Sequence, residues 1–501
     1  MEWWQAFEGA REIGDVPDVV GLTHDSRLAA PGVAFAALPG RQGDGHDYIE
    51  AAIKAGASAV VVQADTESKW GRFAGVIPIV VVADTRAALG PMASVVHGEP
   101  SKRLRVIGVT GTDGKTTTSH LTSHVLEACG LGCGYLSSVG FDTGDGFELN
   151  TSHMTTLEAT IIQPLLARAV AQGRRSMVVE ASSEGLAQRR LDGCAFDVAV
   201  FTNLSRDHLD FHGTMEEYLA AKGILFQKLG EESGKAFAKA AVLNADDPNS
   251  AYLAGRTGAT PISYGLGVDA DVRGLQVEAD GFGWRFKVAA GGEIAEAALP
   301  LIGRFNVYNS LAAIAVARNQ GVALKDAAGS LAAFPGVPGR LERIEEGQAF
   351  RVFVDIASTA SALENVLNAL RPATRGRLWV VFGAAGGRDV VRREGMGLVA
   401  ARLADRAVLT NEDPRAEDPE AIIAAIASAM TEAGRVEGAD FVRIADRREA
   451  IRHAFEQAHP GDTVLLAGKA TETTMLIGPE QVAWDERAVA RELLRGPAHS
   501  T

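Results

Sequence analysis

The residues with the clearest chemistry are Gly111-Thr112-Asp113-Gly114-Lys115-Thr116-Thr117. Glycines let backbone N–H groups turn toward an anion, Lys115 adds a mobile positive charge, and the Thr116 hydroxyl can face a Mg²⁺ ion. Together they make a loop suited to the phosphates of ATP or GTP. The spacing departs from G-x-x-x-x-G-K-[ST], because the first glycine would fall at Val109, whereas the chain has Gly108 and Gly111. Two later stretches carry further polar groups. Met177-Val178-Val179 ends in Glu180, and Val198 to Thr202 runs into Asn203-Leu204-Ser205-Arg206-Asp207-His208-Leu209-Asp210-Phe211-His212. A carboxylate ending an apolar strand beside a phosphate loop suits Mg²⁺, although alone it serves equally as a helix cap or ion-pair partner. His208 and His212, read alone, are capping or core histidines, since hard Mg²⁺ prefers oxygen.

The elements that must position these groups follow from hydrophobic periodicity. Val106, Ile107 and Val109 form a β-branched run before the loop, and Leu121, Val125, Leu126 and Cys129 recur at helical spacing after it, giving strand, loop and helix in order. Upstream, the apolar runs Val33 to Leu38, Ala59 to Val62 and Val76 to Val82 alternate with helical patterns such as Tyr48 to Ala55, until Gly98-Glu99-Pro100-Ser101 closes that unit. From Leu104 to about Gly336 the alternation predicts a parallel sheet covered by helices. Past the turn-rich Phe334 to Gly339 segment, strands are expected at Val352 to Asp355, Leu378 to Gly383, Ala407 to Thr410, Phe441 to Ile444 and Thr463 to Ala467, a doubly wound pattern. The expectation is an α/β chain of three domains: a small α/β domain over 1–100, a central phosphate-loop ATPase-like parallel sheet over 101–336, and a Rossmann-like domain over 337–501.

Composition narrows the function. At 501 residues the chain exceeds one core of about 100 to 200 residues. Its net charge of −14, without any block of Lys or Arg, argues against a nucleic-acid surface and for a small-molecule substrate. Cys129, Cys133 and Cys194 are too few for a disulfide framework and poorly spaced for zinc. Met1 to Ala10 lacks a basic start, and no apolar run approaches the roughly 18 residues of a membrane span, so a soluble cytoplasmic protein is expected.

Five stretches taken together resemble the Mur ligases: Val109 to Thr117, Glu180 to Arg190 (EASSEGLAQRR), Phe201 to Phe226, Leu301 to Ala313 and Val337 to Ile344. Asp25-Ser26-Arg27, Pro31-Gly32 and Gly43-Asp44-Gly45-His46 resemble in particular the members that form the tripeptide of the peptidoglycan precursor. The resemblance implies an ADP-forming ligase that adds a diamino acid (meso-diaminopimelate, lysine or ornithine) to UDP-N-acetylmuramoyl-L-alanyl-D-glutamate through an acyl phosphate. It further implies ATP and Mg²⁺ as cofactors; the sequence leaves the oligomeric state open, with a monomer expected, and no membrane insertion is expected from its apolar runs.

Carried over by position, Lys115 and Thr116 would hold phosphate and the first Mg²⁺, joined by Glu180, while His208 and Lys222 would serve a second ion. Lys222 would be an N6-carboxylysine formed with CO₂; alone it reads as a solvated helix lysine. Asn306 and Asn309 match nucleotide contacts, and Arg340 a phosphate contact. Thr155, Thr156, Ser182, Gln188 and Arg190 match contacts to the UDP-sugar, and His24, Ser26 and the Arg41-Gln42-Gly43 turn match the uridine end. Arg388, Glu412, Asp413, Pro414, Arg415, Gly468 and Glu472 match the incoming amino acid's site.

Departures cluster in the third domain. D-Y-A-H-T-P-D appears as Asp355-Ile356-Ala357-Ser358-Thr359-Ala360-Ser361, G-K-G-H-E as Gly468-Lys469-Ala470-Thr471-Glu472, G-C-G-G-D-R-D as Gly383 to Asp389, and D-N-P-R as Glu412-Asp413-Pro414-Arg415. In the central domain S-S-H is Ser182-Ser183-Glu184 and T-T-P is Thr155-Thr156-Leu157. A divergent amide ligase with another amine or acid substrate, and a non-catalytic paralogue, are the competing readings. Retention of Lys115, Thr116, Glu180, His208 and Lys222 speaks against the second. Arg415 suits the distal carboxylate of diaminopimelate, whereas the added charge of Asp413 is expected to favour a bare ammonium.

Overall fold

The structure, a computed structural model, describes residues 2–40, 43–152, 154–231, 234–387 and 391–496. It divides into two compact units. The first holds 1–277, 286–297 and 307–332, and the second holds 278–285, 298–306 and 333–501. Among the described residues no helix is long and apolar enough to cross a membrane.

The first unit contains two sheets. In the N-terminal one, strands Gly21–Thr23, Val33–Ala36, Ala59–Gln63 and Ile79–Val82 run parallel, and Arg11–Ile13 pairs antiparallel with the last. The parallel heart of the larger sheet has the spatial order Thr260–Gly265, Ala240–Asn244, Val198–Phe201, Arg105–Thr110, Ser176–Glu180, Cys133–Leu136. The strand feeding the phosphate loop therefore lies between the strands that end at Glu180 and just before Asn203, and all three deliver polar residues to one edge. Val106, Ile107 and Val109 are fully buried, as expected of a central parallel strand covered on both faces. Between them Gly108 has a packing role. A Cβ there would lie 2.6 Å from Leu225 Cδ1 and 3.0 Å from Phe196, so glycine lets helix Met215–Lys228 settle directly on the strand.

In the second unit, Arg351–Asp355, Thr463–Ala467, Leu378–Phe382, Arg406–Leu409 and Phe441–Arg443 form a parallel sheet in that order, edged by the antiparallel Glu342–Ile344. Strands Val272–Asp280, Gly283–Ala290 and Glu293–Leu299, which sequence periodicity did not single out, extend the larger sheet.

A buried ion pair ties the second unit's C-terminal helix, Glu486–Arg495, to its sheet. The Arg447 guanidinium, at the start of helix Arg447–Gln457, meets the Glu486 carboxylate (Nε to Oε2, 2.9 Å) and donates to Asn411 O, past strand Arg406–Leu409, and to Ala467 O, the last residue of strand Thr463–Ala467. Both side chains are fully buried. Removing one partner of such a pair strands the other charge at about 3–5 kcal/mol. Glu486→Ala is expected to lower the urea midpoint of this unit's unfolding accordingly; an unchanged midpoint would show that the Arg447 charge is not held by this pair.

Candidate active site

The phosphate loop is shaped by two glycines in positive-φ backbone. Gly111 has φ +146°, and a Cβ there would lie 1.9 Å from Thr202 Oγ1. Gly114 has φ +83°, starts helix Lys115–Ala128, and a Cβ there would lie 2.6 Å from Asn309 Oδ1. The segment after strand Val198–Phe201 latches the loop. Thr202 Oγ1 donates to Asp113 O at 2.6 Å, Asn203 Oδ1 accepts the Asp113 N–H at 3.0 Å, and the Thr112 hydroxyl accepts the Ser205 N–H at 3.0 Å and meets Tyr218 OH at 3.1 Å. Lys115 Nζ donates to Gly111 O and Thr112 O, at 3.1 and 2.8 Å, and Thr117 follows in the first helical turn. On helix Phe305–Asn319, Asn309 Oδ1 accepts from Thr118 Oγ1 at 3.1 Å.

Beside the loop lies a set of oxygen ligands. Thr116 Oγ1 and Ser138 Oγ are 2.9 Å apart, and the Ser138 N–H donates to Glu180 Oε1 at 3.0 Å, with Glu180 buried at its strand end. Hydroxyl and carboxylate oxygens suit a hard cation such as Mg²⁺, so the residues present fit that ion. Ser138 was not singled out from sequence. Its signal is its position just past strand Cys133–Leu136, a neighbour in the same parallel sheet. Among the described residues no group of three or more His, Cys, Asp and Glu side chains could hold a metal.

Lys222 is not a solvated helix lysine. It is 1% exposed, its Nζ donates to Gly111 O at 2.8 Å, and it sits 4.0 Å from the centroid of the Tyr218 ring. Burial, followed by the nearby Lys115 charge, pushes its pKa down to about 6, leaving the amine largely neutral at pH 7. The two histidines differ. His212 is buried with Nε2 2.9 Å from Ser183 Oγ, a core histidine, whereas His208 caps the short helix Leu209–His212 from positive-φ backbone (+52°), exposed and 3.3 Å from Asp207.

The sugar-side residues form one network. Thr156 Oγ1 donates to Glu180 O and accepts the Ser182 N–H, at 2.8 and 2.9 Å; Arg190 donates to Thr156 O and Gln188 Oε1 and pairs with Glu158 at 3.0 Å. Thr155 precedes this network, half-buried. In the N-terminal sheet region His24 Nδ1 lies 3.0 Å from Thr160 Oγ1, its pKa lowered by burial. Ser26 opens a turn capped by Asp25, and Gly43 O accepts the Gly40 N–H. Arg41 and Gln42 lie outside the described residues.

The second unit holds its own group. Asn306 Nδ2 donates to Ile302 O, and Arg340 acts electrostatically on buried Asp355, whose carboxylate accepts the N–H groups of Leu341 and Ala357. Asp413 Oδ1 accepts from Lys469 Nζ at 2.8 Å and from the Leu476 N–H at 2.9 Å, while Lys469 also pairs with Glu472. The Asp413 charge is thus matched by a fully buried ammonium rather than bare, and Lys469 is a member that sequence reasoning passed over. Glu412 is 6% exposed, 4.0 Å from Arg392, and burial pushes its pKa up to about 7; a Cβ on Gly468 would lie 2.9 Å from its Oε2. Pro414 O packs against Gly386, and Arg415, at φ +55°, donates its N–H to Leu476 O. Arg415 Nε is buried without a hydrogen-bond partner among the described residues, and Arg388 lies outside them.

A parallel α/β sheet with a glycine loop, a following helix and acidic strand ends on the same edge defines a phosphate-loop nucleotide-binding protein. Residues 18–97 match the Mur ligase family, catalytic domain; 109–317 the Mur ligase middle domain; and 339–470 the Mur ligase, glutamate ligase domain. The chain belongs to the Mur ligase family. It is 44% identical over 487 residues to a UDP-N-acetylmuramyl-tripeptide synthetase of Roseiflexus sp., covering 95% of each chain. It is 42% identical over 483 residues to a UDP-N-acetylmuramoyl-L-alanyl-D-glutamate--2,6-diaminopimelate ligase of Geobacillus thermodenitrificans, covering 96% of each. A solved diaminopimelate ligase structure of the same description superposes with TM-score 0.67 at 32% identity over 96% of each chain. The MurF ligase of Thermotoga maritima in complex with ADP shares the fold, with TM-score 0.60 at 19% identity, covering 95% of this chain and 97% of that one.

Gly114→Ala places a side chain in left-handed backbone and against Asn309. We expect ADP affinity to fall about tenfold or more, by calorimetric titration, with the circular dichroism spectrum unchanged. Unaltered affinity would show that this loop does not hold the nucleotide.

Proposed function

We propose that this chain is an ATP-dependent, ADP-forming ligase of peptidoglycan precursor synthesis, acting in the cytoplasm, which joins a diamino acid to the D-glutamate carboxylate of UDP-N-acetylmuramoyl-L-alanyl-D-glutamate. The observation that carries the reading is the phosphate loop with Lys222 buried against it, in a chain whose 42–44% identical relatives are named for this reaction over nearly their whole length. The matched segments support assigning 1–100 to the UDP end, 101–336 to ATP and 337–501 to the amine substrate.

In the reaction a carboxylate oxygen attacks the γ-phosphorus of ATP and ADP leaves; the amine then attacks the acyl carbon, phosphate leaves, and the amine's proton is lost. The first step brings like charges together and the second develops negative charge on the acyl oxygen and leaving phosphate, which fixed donors must offset. Lys115 and the loop N–H groups from Gly111 to Thr116 hold the phosphates, with Asn306, Asn309 and Arg340 completing the nucleotide site. The residues that would hold Mg²⁺ are Thr116 and Glu180 for one ion and His208 with carbamylated Lys222 for the second. Such ions supply neutralisation of charge between phosphoryl group and carboxylate. The largely neutral Lys222 amine supports the carbamate: its nitrogen bonds CO₂ carbon and releases a proton, turning an amine into an anionic oxygen ligand. Thr155, Thr156, Ser182, Gln188 and Arg190 orient the UDP-sugar, and His24, Ser26 and the Arg41 to Gly43 turn hold its uridine.

The amine site combines Glu412, Asp413, Pro414, Arg415, Gly468, Glu472 and Arg388. With Lys469 offsetting Asp413 and Glu472, and the half-buried Arg415 guanidinium suited to a carboxylate, meso-diaminopimelate leads lysine and ornithine.

Phosphate release with the UDP-muramoyl-dipeptide is expected to show the highest kcat/KM for meso-diaminopimelate; no release with any of the three diamino acids would overturn the assignment. Asp413→Asn leaves Lys469 with less counter-charge and is expected to move preference toward diaminopimelate by about tenfold. An unmoved preference would remove Asp413 from the specificity argument. Lys222→Ala is expected to lose most activity and regain part of it with added formate or acetate, and to lack the carbamate carbon signal that wild-type protein gives in ¹³C-bicarbonate. Full activity without additive would exclude the carbamate role.

A further inference from the structure

In the second unit a pocket of about 280 Å³ is lined by Arg343, Arg351 and Arg375, with Glu345, Phe350 and Gly461 among its walls. Arg351 begins strand Arg351–Asp355, and Arg375 and Gly461 precede the parallel strands Leu378–Phe382 and Thr463–Ala467. The pocket therefore opens at the amino-terminal edge of this sheet. Asp355, Glu412, Asp413 and Gly468 follow the carboxyl ends, roughly 13 Å of strand away. It is not part of the amine site.

Its charge balance is unusual for a chain of net charge −14. Arg343 is paired with Glu345 at 2.6 Å, but neither Arg351 nor Arg375 has an ion-pair partner among the described residues. Arg351 stacks on the Phe282 ring, 4.2 Å from its centroid, which fixes the guanidinium plane. Arg351's pKa is lowered, first by burial and then by Arg343 and Arg375, while Glu345 opposes the shift. Like charges held around one concavity cost free energy that a bound anion would relieve. Planar guanidinium forks match phosphate oxygens two at a time, and the volume lies just under the ~300–1,000 Å³ of drug-sized sites. We propose that this pocket is a binding site for a small diphosphate-type anion, held by Arg351 and Arg375 with Arg343 at the rim.

Calorimetric titration of the full chain with inorganic pyrophosphate, in saturating ADP and without Mg²⁺, tests this. Wild-type protein is expected to bind, and Arg351→Gln and Arg375→Gln each to weaken binding about tenfold. Arg375 is exposed, so its variant retains the fold even if the Arg351 change disturbs the stack on Phe282. Absence of binding to wild type at millimolar concentration would overturn the proposal. So would equal affinity in wild type and Arg375→Gln, which would place pyrophosphate elsewhere, or binding of malonate in preference to pyrophosphate.

Discussion

Two lysine side chains end on one carbonyl oxygen: Nζ of Lys115 and Nζ of Lys222 both donate to Gly111 O, at 3.1 and 2.8 Å. Burial, and after it the neighbouring Lys115 charge, disfavours a second ammonium there, so Lys222 is pushed down to about 6. The shared carbonyl depends on helix Met215–Lys228 lying against strand Arg105–Thr110, where Gly108 leaves room for the Leu225 and Phe196 side chains. Tyr218, one turn before Lys222, covers the amine and bonds Thr112, so strand, loop and helix are locked together. A phosphate loop and a buried amine of lowered pKa are made by the same packing.

Strand order does the rest in the first unit. Placing the loop strand between Ser176–Glu180 and Val198–Phe201 brings a carboxylate to one side of the loop and the Thr202–Ser205 latch to the other. The next strand contributes Ser138, which links Thr116 to Glu180. In a parallel sheet all carboxyl ends share one edge, so residues from four separate strands converge without any long loop.

In the second unit the same edge is built from buried charges held in balance. Arg447 is matched by Glu486, and Lys469 by Asp413 and Glu472. Glu412, 4.0 Å from Arg392, instead has its pKa raised by burial despite the opposing charges of Arg392, Arg447 and Lys469. Pairing keeps the polar groups in fixed positions.

What the sequence alone determined is what depends on neighbours along the chain. The phosphate loop, its flanking strand and helix, and the parallel strands of the second unit were legible because β-branched runs, glycines and helical spacing are local signals. The alternating strands from Val272 to Leu299 were passed over, their short apolar positions being interrupted by polar ones. The candidate site was legible mainly as an ordered set of motifs. Ser138 and Lys469 went unseen, and Asp413 read as a bare charge, because the partners that define them lie 42, 56 and 56 residues away. Lys222, unremarkable in its helix, became a buried amine of lowered pKa through burial and through Lys115, and it rests on Gly111, 111 residues distant. Burial and charge balance are properties of the packed neighbourhood, and only the tertiary structure could decide them.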